Sequence, residues 1–273
     1  EAVAALTRED IVAAHQRWIR PDNAEIFVVG DTTLAEITPL LEANFGDWTP
    51  PATPKGTKTF DETIPPPQPR IVLVDRPQSP QSLILAGTIL PVQGTDELAT
   101  LLAANDVLGG SFLSRLNYDL RETKGWAYGV QGIVNRVEHR VAYIVYAPVQ
   151  ADKTGPSIAA LQEQMKTFLT SKGVTADELS RTINGNIREL PGSYETSGDV
   201  LGAIRGNALF DRPDDYQETL ASRYRAMSAA DLDKAARAVI RPEDLVWVVV
   251  GDAAQVRPQL EKLGLTVETM TLE

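Results

Sequence analysis

The sequence contains no cysteine and only two histidines. Without cysteine, the chain can form neither a disulfide nor a thiolate metal site. His15 and His139 lie far apart in the sequence, and no H-x-x-E-H arrangement occurs in either direction. We therefore expect no metal ligands and no cofactor in this chain, and we interpret both histidines as surface residues.

The sequence also lacks long apolar runs and an excess of basic residues. No stretch approaches the roughly 18 apolar residues of a membrane-spanning helix, so we expect no membrane insertion. The chain has 26 Lys and Arg against 37 Asp and Glu, and its net charge of −11 disfavours nucleic acid as a partner. Its start, EAVAALTRED, has neither a signal-peptide pattern nor an initiator Met. These features lead us to expect a piece of a longer protein.

The sequence contains an internal repeat. Residues 6–31, LTREDIVAAHQRWIRPDNAEIFVVGD, align without a gap with residues 227–252, MSAADLDKAARAVIRPEDLVWVVVGD, at an offset of 221 residues. Each copy predicts a helix with an N-terminal capping box, an Arg-Pro corner, a short strand and a Gly-Asp turn. The predicted strands cover residues 26–29 and 246–250.

The repeat predicts the domain organisation. A unit of about 220 residues ends with each copy, and only the second copy is preceded by enough chain to form one. We therefore interpret residues 1–48 as the tail of a truncated preceding domain and residues 70–273 as a complete C-terminal domain. Residues 49–69 are interpreted as a linker, because their proline density disfavours helix and sheet alike.

Hydrophobic periodicity within residues 70–273 predicts an α+β domain. The predicted strands are 70–75, 82–91, 126–134 and 140–149. The predicted helices run from Thr95 to about Leu108, from Phe112 to just before Gly125, along the Ile158–Phe168 stripe, after the Thr175–Glu178 capping box, and over 195–210 and 214–225. Because this order is not a strict βα alternation, it favours a largely antiparallel sheet covered by helices.

The segment LGGSFLSR, residues 108–115, does not have the spacing of a phosphate-binding loop, and no histidine lies near enough in sequence to activate its serines. We interpret its glycines as residues that let the chain turn sharply between helices. The nearby carboxylates are interpreted as solvated or capping groups. The residues assigned to these structural roles are Gly109, Gly110, Ser111, Ser114, Asp106 and Glu122.

A longer block around this segment resembles a known family. Residues 105–130, NDVLGGSFLSRLNYDLRETKGWAYGV, resemble the late-half signature of the M16 zinc metallopeptidases, the pitrilysin, insulin-degrading and mitochondrial-processing group. The shared pattern is a small-residue loop, Ser-Arg-Leu, then Leu-Arg, a short basic turn and a Tyr seven residues after the Arg. Arg121 and Tyr128 have that spacing. The repeated helix, Arg-Pro, strand and Gly-Asp pattern also resembles the end of each M16 domain.

The resemblance implies a division of labour between domains of one M16-like (LuxS/MPP-like) fold. One domain holds the zinc, and a later domain supplies an Arg and a Tyr that contact the substrate. By this resemblance, the chain is the substrate-binding, non-zinc portion of a zinc metalloendopeptidase. Arg121 and Tyr128 would be its catalytic contacts, the zinc would lie in a partner domain or subunit, and the substrate would be a peptide or small protein. The chain alone would be inactive, and a bacterial periplasmic or cell-envelope location is expected.

Other interpretations remain open. Arg121 could interact only with the dipole at its helix C-terminus, and Tyr128 could pack on a sheet face with Trp126 and Val130. The chain could also be a catalytically inactive scaffold or assembly subunit of the same fold, as the core proteins of a respiratory complex are. A stand-alone peptide-binding module is a third possibility.

Overall fold

The computed structural model describes residues 2–60 and 63–270. Residues 61–62 of the predicted linker, and residues 1 and 271–273 at the ends of the predicted domains, lie outside the described part. The chain divides into two compact units. One comprises Glu1–Ile64 with Gly192–Ala208, and the other comprises Pro65–Pro191 with Leu209–Glu273.

The larger unit is built on a mixed sheet with the strand order β3-β4-β2-β5-β1-β6 among the described residues. The strands are β1 Ile71–Asp75, β2 Gln81–Leu90, β3 Gln131–Val137, β4 Arg140–Gln150, β5 Val246–Gly251 and β6 Val267–Met270. The pairs β3–β4, β4–β2 and β2–β5 are antiparallel, whereas β5–β1 and β1–β6 are parallel. The predicted α+β class with a largely antiparallel sheet is therefore confirmed, and β6 is an additional strand.

Ten α-helices are found among the described residues. In chain order they are α1 Arg8–Trp18, α2 Leu34–Phe45, α3 Ala99–Asn105, α4 Arg115–Asn117, α5 Thr154–Thr170, α6 Ala176–Glu189, α7 Ser197–Leu209, α8 Tyr216–Ala226, α9 Ala229–Val239 and α10 Ala253–Leu260. The stripe predicted on α5, formed by Ile158, Leu161, Met165 and Phe168, is buried in the core of the larger unit. Burial of that stripe fixes the helix on the sheet.

The capping boxes formed where the sequence predicted them. In α6 the Thr175 hydroxyl accepts the Glu178 N–H, and the Glu178 carboxylate accepts the Thr175 N–H. The same reciprocal pairs begin α1 at Thr7 and α9 at Ser228. Thr95, in contrast, does not cap α3, which begins at Ala99 after a turn. The side chain of Glu97 accepts the Ala99 N–H at 3.0 Å. An N–H group of the first helical turn is therefore bonded by a residue closer to the helix than Thr95.

The smaller unit reproduces the repeat only in part. Its α1 and the 3₁₀ turn Pro21–Asn23 match α9 and the turn Pro242–Asp244 residue for residue at the repeat offset. The strand predicted at 26–29 is wrong, because those residues have no ladder partner in the described part of this unit, whereas β5 pairs with β1 and β2. The described residues of 49–69 contain neither helix nor strand.

Candidate functional site

Two π-helical turns shape the segment that contains Arg121 and Tyr128. Helix α3 continues into a π turn at Asp106–Gly110, and α4 continues into a second at Tyr118–Thr123. In the second turn the Lys124 N–H donates to the Asp119 carbonyl, five residues earlier, at 3.0 Å. The prediction of a helix starting at Phe112 is therefore wrong in its first residues, since regular helix starts only at Arg115. Turns of this kind occur often at functional sites.

Close backbone packing explains the first π turn. A Cβ atom on Gly109 would lie 2.8 Å from both the Cα and the N of Gly132 in β3. Asn105, buried one turn earlier, donates from its Nδ2 to the Gly132 carbonyl at 2.8 Å. The glycine therefore allows a helix to lie directly against a strand backbone, a role different from the sharp turn that the sequence indicated.

The chain then passes from helix to strand through a short irregular stretch. Gly125, predicted to end the helix, has a φ of +66°, which favours glycine. The Trp126 N–H remains bonded to the Leu120 carbonyl at 2.9 Å, and Ala127 makes one isolated bridge to Val149. The strand predicted from residue 126 therefore begins only at Gln131, because the helix end still holds the residues before it.

Arg121 and Tyr128 meet across this stretch. The Arg121 guanidinium carbon lies 5.3 Å from the centroid of the Tyr128 ring and 4.5 Å from that of Phe112. Arg121 also pairs through Nε with the Glu122 carboxylate at 3.2 Å. Tyr128 is 86% exposed, so it does not pack on the sheet face with Trp126 and Val130. The alternative in which Tyr128 packs on the sheet face is therefore wrong.

A cavity of about 420 Å³ opens beside the pair. Its lining includes Phe112, Arg121, Tyr128 and, from β4, Tyr146. Arginine and tyrosine thus present a cation and a phenol hydroxyl at one surface opening. Such a pair can donate hydrogen bonds to carbonyl or carboxylate oxygens of a bound peptide.

Asn117, which was not among the predicted site residues, braces both sides of this opening. Its Nδ2 donates to the Phe112 carbonyl at 2.6 Å, and its Oδ1 accepts the Val130 N–H at 2.8 Å. The side chain is only 3% exposed. A polar residue of poor helix propensity on the apolar side of a predicted helix was the available signal. Nothing in the sequence, however, indicated its two partners.

Arg115, part of the Ser-Arg-Leu motif, lies outside this opening. Its Nε and one terminal nitrogen bind both carboxylate oxygens of Glu178, at 2.7 and 2.6 Å, and it also donates to the Gly173 carbonyl at 2.8 Å. Burial by itself raises the pKa of Glu178, but hydrogen bonds from Arg115 and Thr175 outweigh it and lower that pKa to about 2. This bidentate pair ties α4 to α6.

The carboxylates and histidines considered in the sequence do not line this opening. Asp106, expected to be a solvated or capping carboxylate, is half-buried. Burial raises its pKa, opposed by a hydrogen bond from Asn186 at 2.9 Å. Glu122 is exposed beside Arg121. His15 is exposed on α1, and His139 lies in the β3–β4 turn, 3.4 Å from Glu138.

The described residues do not fit a zinc ion. No three or more His, Cys, Asp or Glu side chains among residues 2–60 and 63–270 lie close enough together to hold a metal. The half-buried carboxylate of Asp106 accepts a hydrogen bond from the Asn186 amide at 2.9 Å, and an amide is not a usual zinc ligand. In the same described ranges, no helix is long and apolar enough to cross a bilayer.

Solved structures share this fold. A peptidase M16 inactive domain from Pseudomonas fluorescens superposes with a TM-score of 0.78 at 22% identity, over 91% of this chain and 58% of that one. A protease from Helicobacter pylori gives a TM-score of 0.76 at 18% identity, over 91% and 60%. A chain of complex III₂ from Candida albicans gives 0.71 at 12% identity, over 98% and 64%. At these identities the likeness shows the fold alone.

Sequence comparison identifies the family. A curated relative, an uncharacterized zinc protease of Mycobacterium tuberculosis, is 26% identical over 219 residues, which are 78% of this chain but 44% of the relative. Another, an uncharacterized zinc protease of Bacillus subtilis, is 30% identical over 116 residues, 42% of this chain and 28% of the relative. The chain thus spans about half the length of the first of these relatives. The family model described as the peptidase M16 inactive domain matches residues 5–186, and the chain therefore belongs to the M16 peptidase family, whose inactive domain it contains.

Proposed function

We propose that the chain is the substrate-binding, non-zinc portion of an M16 zinc metalloendopeptidase, to which it supplies Arg121 and Tyr128. The observation that carries this proposal is the contact of the Arg121 guanidinium with both the Phe112 and the Tyr128 ring in the lining of one cavity. Two aromatic faces hold the cation in one orientation while its N–H groups remain able to bind a peptide oxygen.

The exposure of Tyr128 supports a role in a site completed by a second surface. A phenol that is 86% exposed is hydrated, and its hydrogen bond to a substrate gains strength only when water is excluded. A zinc-bearing M16 domain or subunit that faces this surface would exclude that water and provide the zinc and general base. The peptide substrate would lie between the two. Arg121 would then hold a peptide carbonyl, and the Tyr128 hydroxyl would donate to the oxygen on which charge develops.

Exposed apolar residues support the proposed domain organisation. In the smaller unit Ile11, Leu34 and Phe45 are 61%, 83% and 46% exposed. Helices with such faces need an apolar partner. We therefore interpret residues 1–48 as the tail of a preceding M16-like domain, 49–69 as the linker and 70–273 as the C-terminal domain. The periplasmic or envelope location stays a prediction.

The proposal is tested by Tyr128→Phe in the complete peptidase that contains this chain. Because the hydroxyl is expected to act in the transition state, kcat should fall about 100-fold, equivalent to about 3 kcal/mol, with little change in KM. Steady-state kinetics on a fluorogenic peptide measure both constants. Tyr118→Phe is the matched control, since Tyr118 is also exposed but does not line the cavity. Equal turnover by the two variants would show that the Tyr128 hydroxyl takes no part in catalysis.

The second candidate is an inactive scaffold or assembly subunit. It is favoured by the fold-level likeness to a chain of a complex III₂ structure, which extends over nearly the whole of this chain. In that case Tyr128→Phe would leave assembly and all measured activity of the complex unchanged. The cation and phenol at one opening favour the peptidase role. A stand-alone peptide-binding module would instead bind extended peptides at this cavity without any partner.

A further inference from the structure

The Arg-Pro corner of the first repeat copy binds an extended stretch of the chain through its backbone. Arg20, only 5% exposed, donates from one terminal nitrogen to the Thr53 carbonyl at 2.8 Å. Its Nε and other terminal nitrogen bind the Asp22 carboxylate at 2.5 and 3.0 Å, which fixes the guanidinium plane. The Gly56 N–H donates to the Arg17 carbonyl at the end of α1, at 3.1 Å.

Side chains add to this backbone recognition. A Cβ atom on Gly56 would lie 2.6 Å from the Trp18 ring, so the stretch runs flat against the indole. Lys55 donates to the Asp22 carbonyl at 2.9 Å, and Lys58 lies 5.7 Å from the centroid of the Trp18 ring. The corner therefore holds residues 53–58 by one carbonyl, one N–H and two lysines.

In the second copy, the arginine of the corner binds its own helix end. Arg241 and Pro242 correspond to Arg20 and Pro21, and the flanking helix and 3₁₀ turn have matching bounds. Arg241 is exposed and donates to carbonyls of its own helix end, among them that of Ala238 at 3.2 Å. Ala238 is the counterpart of Arg17. The carbonyl that accepts a peptide N–H in the first copy thus accepts the arginine side chain in the second.

A groove of about 550 Å³ lies beside this second corner. Its walls come from the C-terminal part of α5 and from the end of α9. We call it the Arg241 groove and define it by Gln162, Lys166, Leu169, Arg237, Arg241 and Pro242. Arg237 pairs with Asp233 of its own helix at 3.3 Å. Lys166 and Arg241 are then the cations placed to meet a ligand, opposed by one lining carboxylate, Glu243.

We propose that the Arg241 groove binds an extended, acidic segment of a partner protein, in the manner in which the first corner binds residues 53–58. On binding, Arg241 would turn from its helix end to a carbonyl of the segment, and the freed Ala238 carbonyl would accept an N–H of the segment. Lys166 would pair with an acidic side chain. A cationic groove on a chain of net charge −11 attracts such a segment locally, although the rest of the surface does not.

Fluorescence anisotropy with the purified chain tests this. The probe is a labelled synthetic peptide of residues 51–58 in which Lys55→Glu and Lys58→Glu replace the basic residues. The unaltered peptide is the charge control. We expect the acidic peptide to bind about tenfold more tightly than the unaltered one, and its affinity to fall with added salt.

Two charge reversals locate the site. Lys166→Glu, an exposed change on α5, should weaken binding of the acidic peptide about fivefold. Lys262→Glu, equally exposed but outside the groove, should leave it within about twofold. Circular dichroism of both variants is to be compared with that of the parent chain, to check that each is folded.

Three results would overturn the proposal. One is equal binding of the two peptides, or none. Another is an affinity that Lys166→Glu does not change. The third is dimerisation of the chain in sedimentation experiments that Lys166→Glu abolishes, since that would make a second copy the occupant.

Discussion

Two arginines six residues apart illustrate how local surroundings decide what a residue does. Arg115 is held by both oxygens of Glu178 and by backbone carbonyls, and its guanidinium carbon lies 5.0 Å from the centroid of the Phe168 ring. Arg121 contacts two aromatic rings in the lining of a surface cavity. With its donors used inside the protein, Arg115 is a structural tie. Arg121, with 31% of its side chain exposed, remains able to bind a ligand.

The Arg115–Glu178 pair predicts acid sensitivity. Because the folded state lowers the pKa of Glu178 from 4.5 to about 2, the stabilisation is fully present above pH 4.5 and is lost as pH falls towards 2. We expect this pair to contribute about 2 kcal/mol to the free energy of unfolding at neutral pH. Urea unfolding of Glu178→Gln should show that loss at pH 7 and little of it at pH 2.5.

Asp177→Asn is the control for this experiment, since Asp177 lies on the same helical turn and is exposed. Its free energy of unfolding should stay within about 0.5 kcal/mol of the parent at pH 7. A Glu178→Gln deficit that does not depend on pH would contradict this prediction, since it would show that the loss does not come from the ionised carboxylate.

At the residue scale, Arg121 and Tyr128 could be predicted from the sequence, but the residues that contact or position them could not. Arg121 and Tyr128 could be singled out because their spacing matches a family pattern. Phe112 and Asn117 could not, since their partners are a guanidinium nine residues later and the N–H of Val130 thirteen residues later. Those contacts depend on a π turn that no hydrophobic period encodes.

At the scale of elements, the α3 extension and β3 make a close backbone contact near the site. Glycines on both sides, Gly109 and Gly132, let the backbones approach, and Asn105 donates across the gap. This contact places the lining of the cavity against the sheet edge. The site is therefore sensitive to changes in volume at positions that never touch a substrate.

Gly109→Ala should destabilise the chain by about 2 kcal/mol, because the added Cβ meets strand backbone that cannot move aside. Gly185→Ala, in α6 with open space around it, is the matched control and should stabilise by about 0.5–1 kcal/mol. Urea unfolding measures both free energies. Equal effects of the two changes would mean that the helix shifts freely on the sheet.

Elements set by near neighbours in sequence were predicted well. Capping boxes at Thr7, Thr175 and Ser228 formed because both partners lie within one turn. Residues 26–29 failed as a strand because extended residues need a neighbouring strand, and the described part of their unit offers none. The same pattern succeeded at Val246–Gly251, between β1 and β2.

At the scale of the whole molecule, the described residues of this M16 inactive domain contain no cluster of His, Cys, Asp or Glu side chains that could hold a metal ion. We therefore expect the purified chain not to cleave fluorogenic peptides or casein, with or without added zinc. Turnover is to be measured by fluorescence and gel assays, with a complete M16 peptidase as the positive control. Cleavage that a chelator abolishes would contradict this expectation.

The fold class and the family could both be predicted, because the repeat, the hydrophobic periodicity and the 105–130 block are all visible in the sequence itself. The parallel pairings of β1 with β5 and β6 could not be predicted, because these strands are far apart in the sequence and pair only in the folded domain. In addition, β6 has only four residues and no clear alternation of buried and exposed positions. The Arg241 groove was also out of reach, because α5 and α9 are distant in sequence and meet only in the folded domain.

The π turn of Tyr118–Thr123 holds one residue more than an α turn would over the same rise. Deleting Glu122 or Thr123 would let the helix close regularly, but it would rotate Arg121 by about 100° relative to the residues that follow. It would also shorten the path to Ala127, which is bridged to Val149. We therefore expect this segment to tolerate substitutions better than changes in length. The seven-residue interval between Arg121 and Tyr128 is set by the π turn at one end and the Ala127–Val149 bridge at the other.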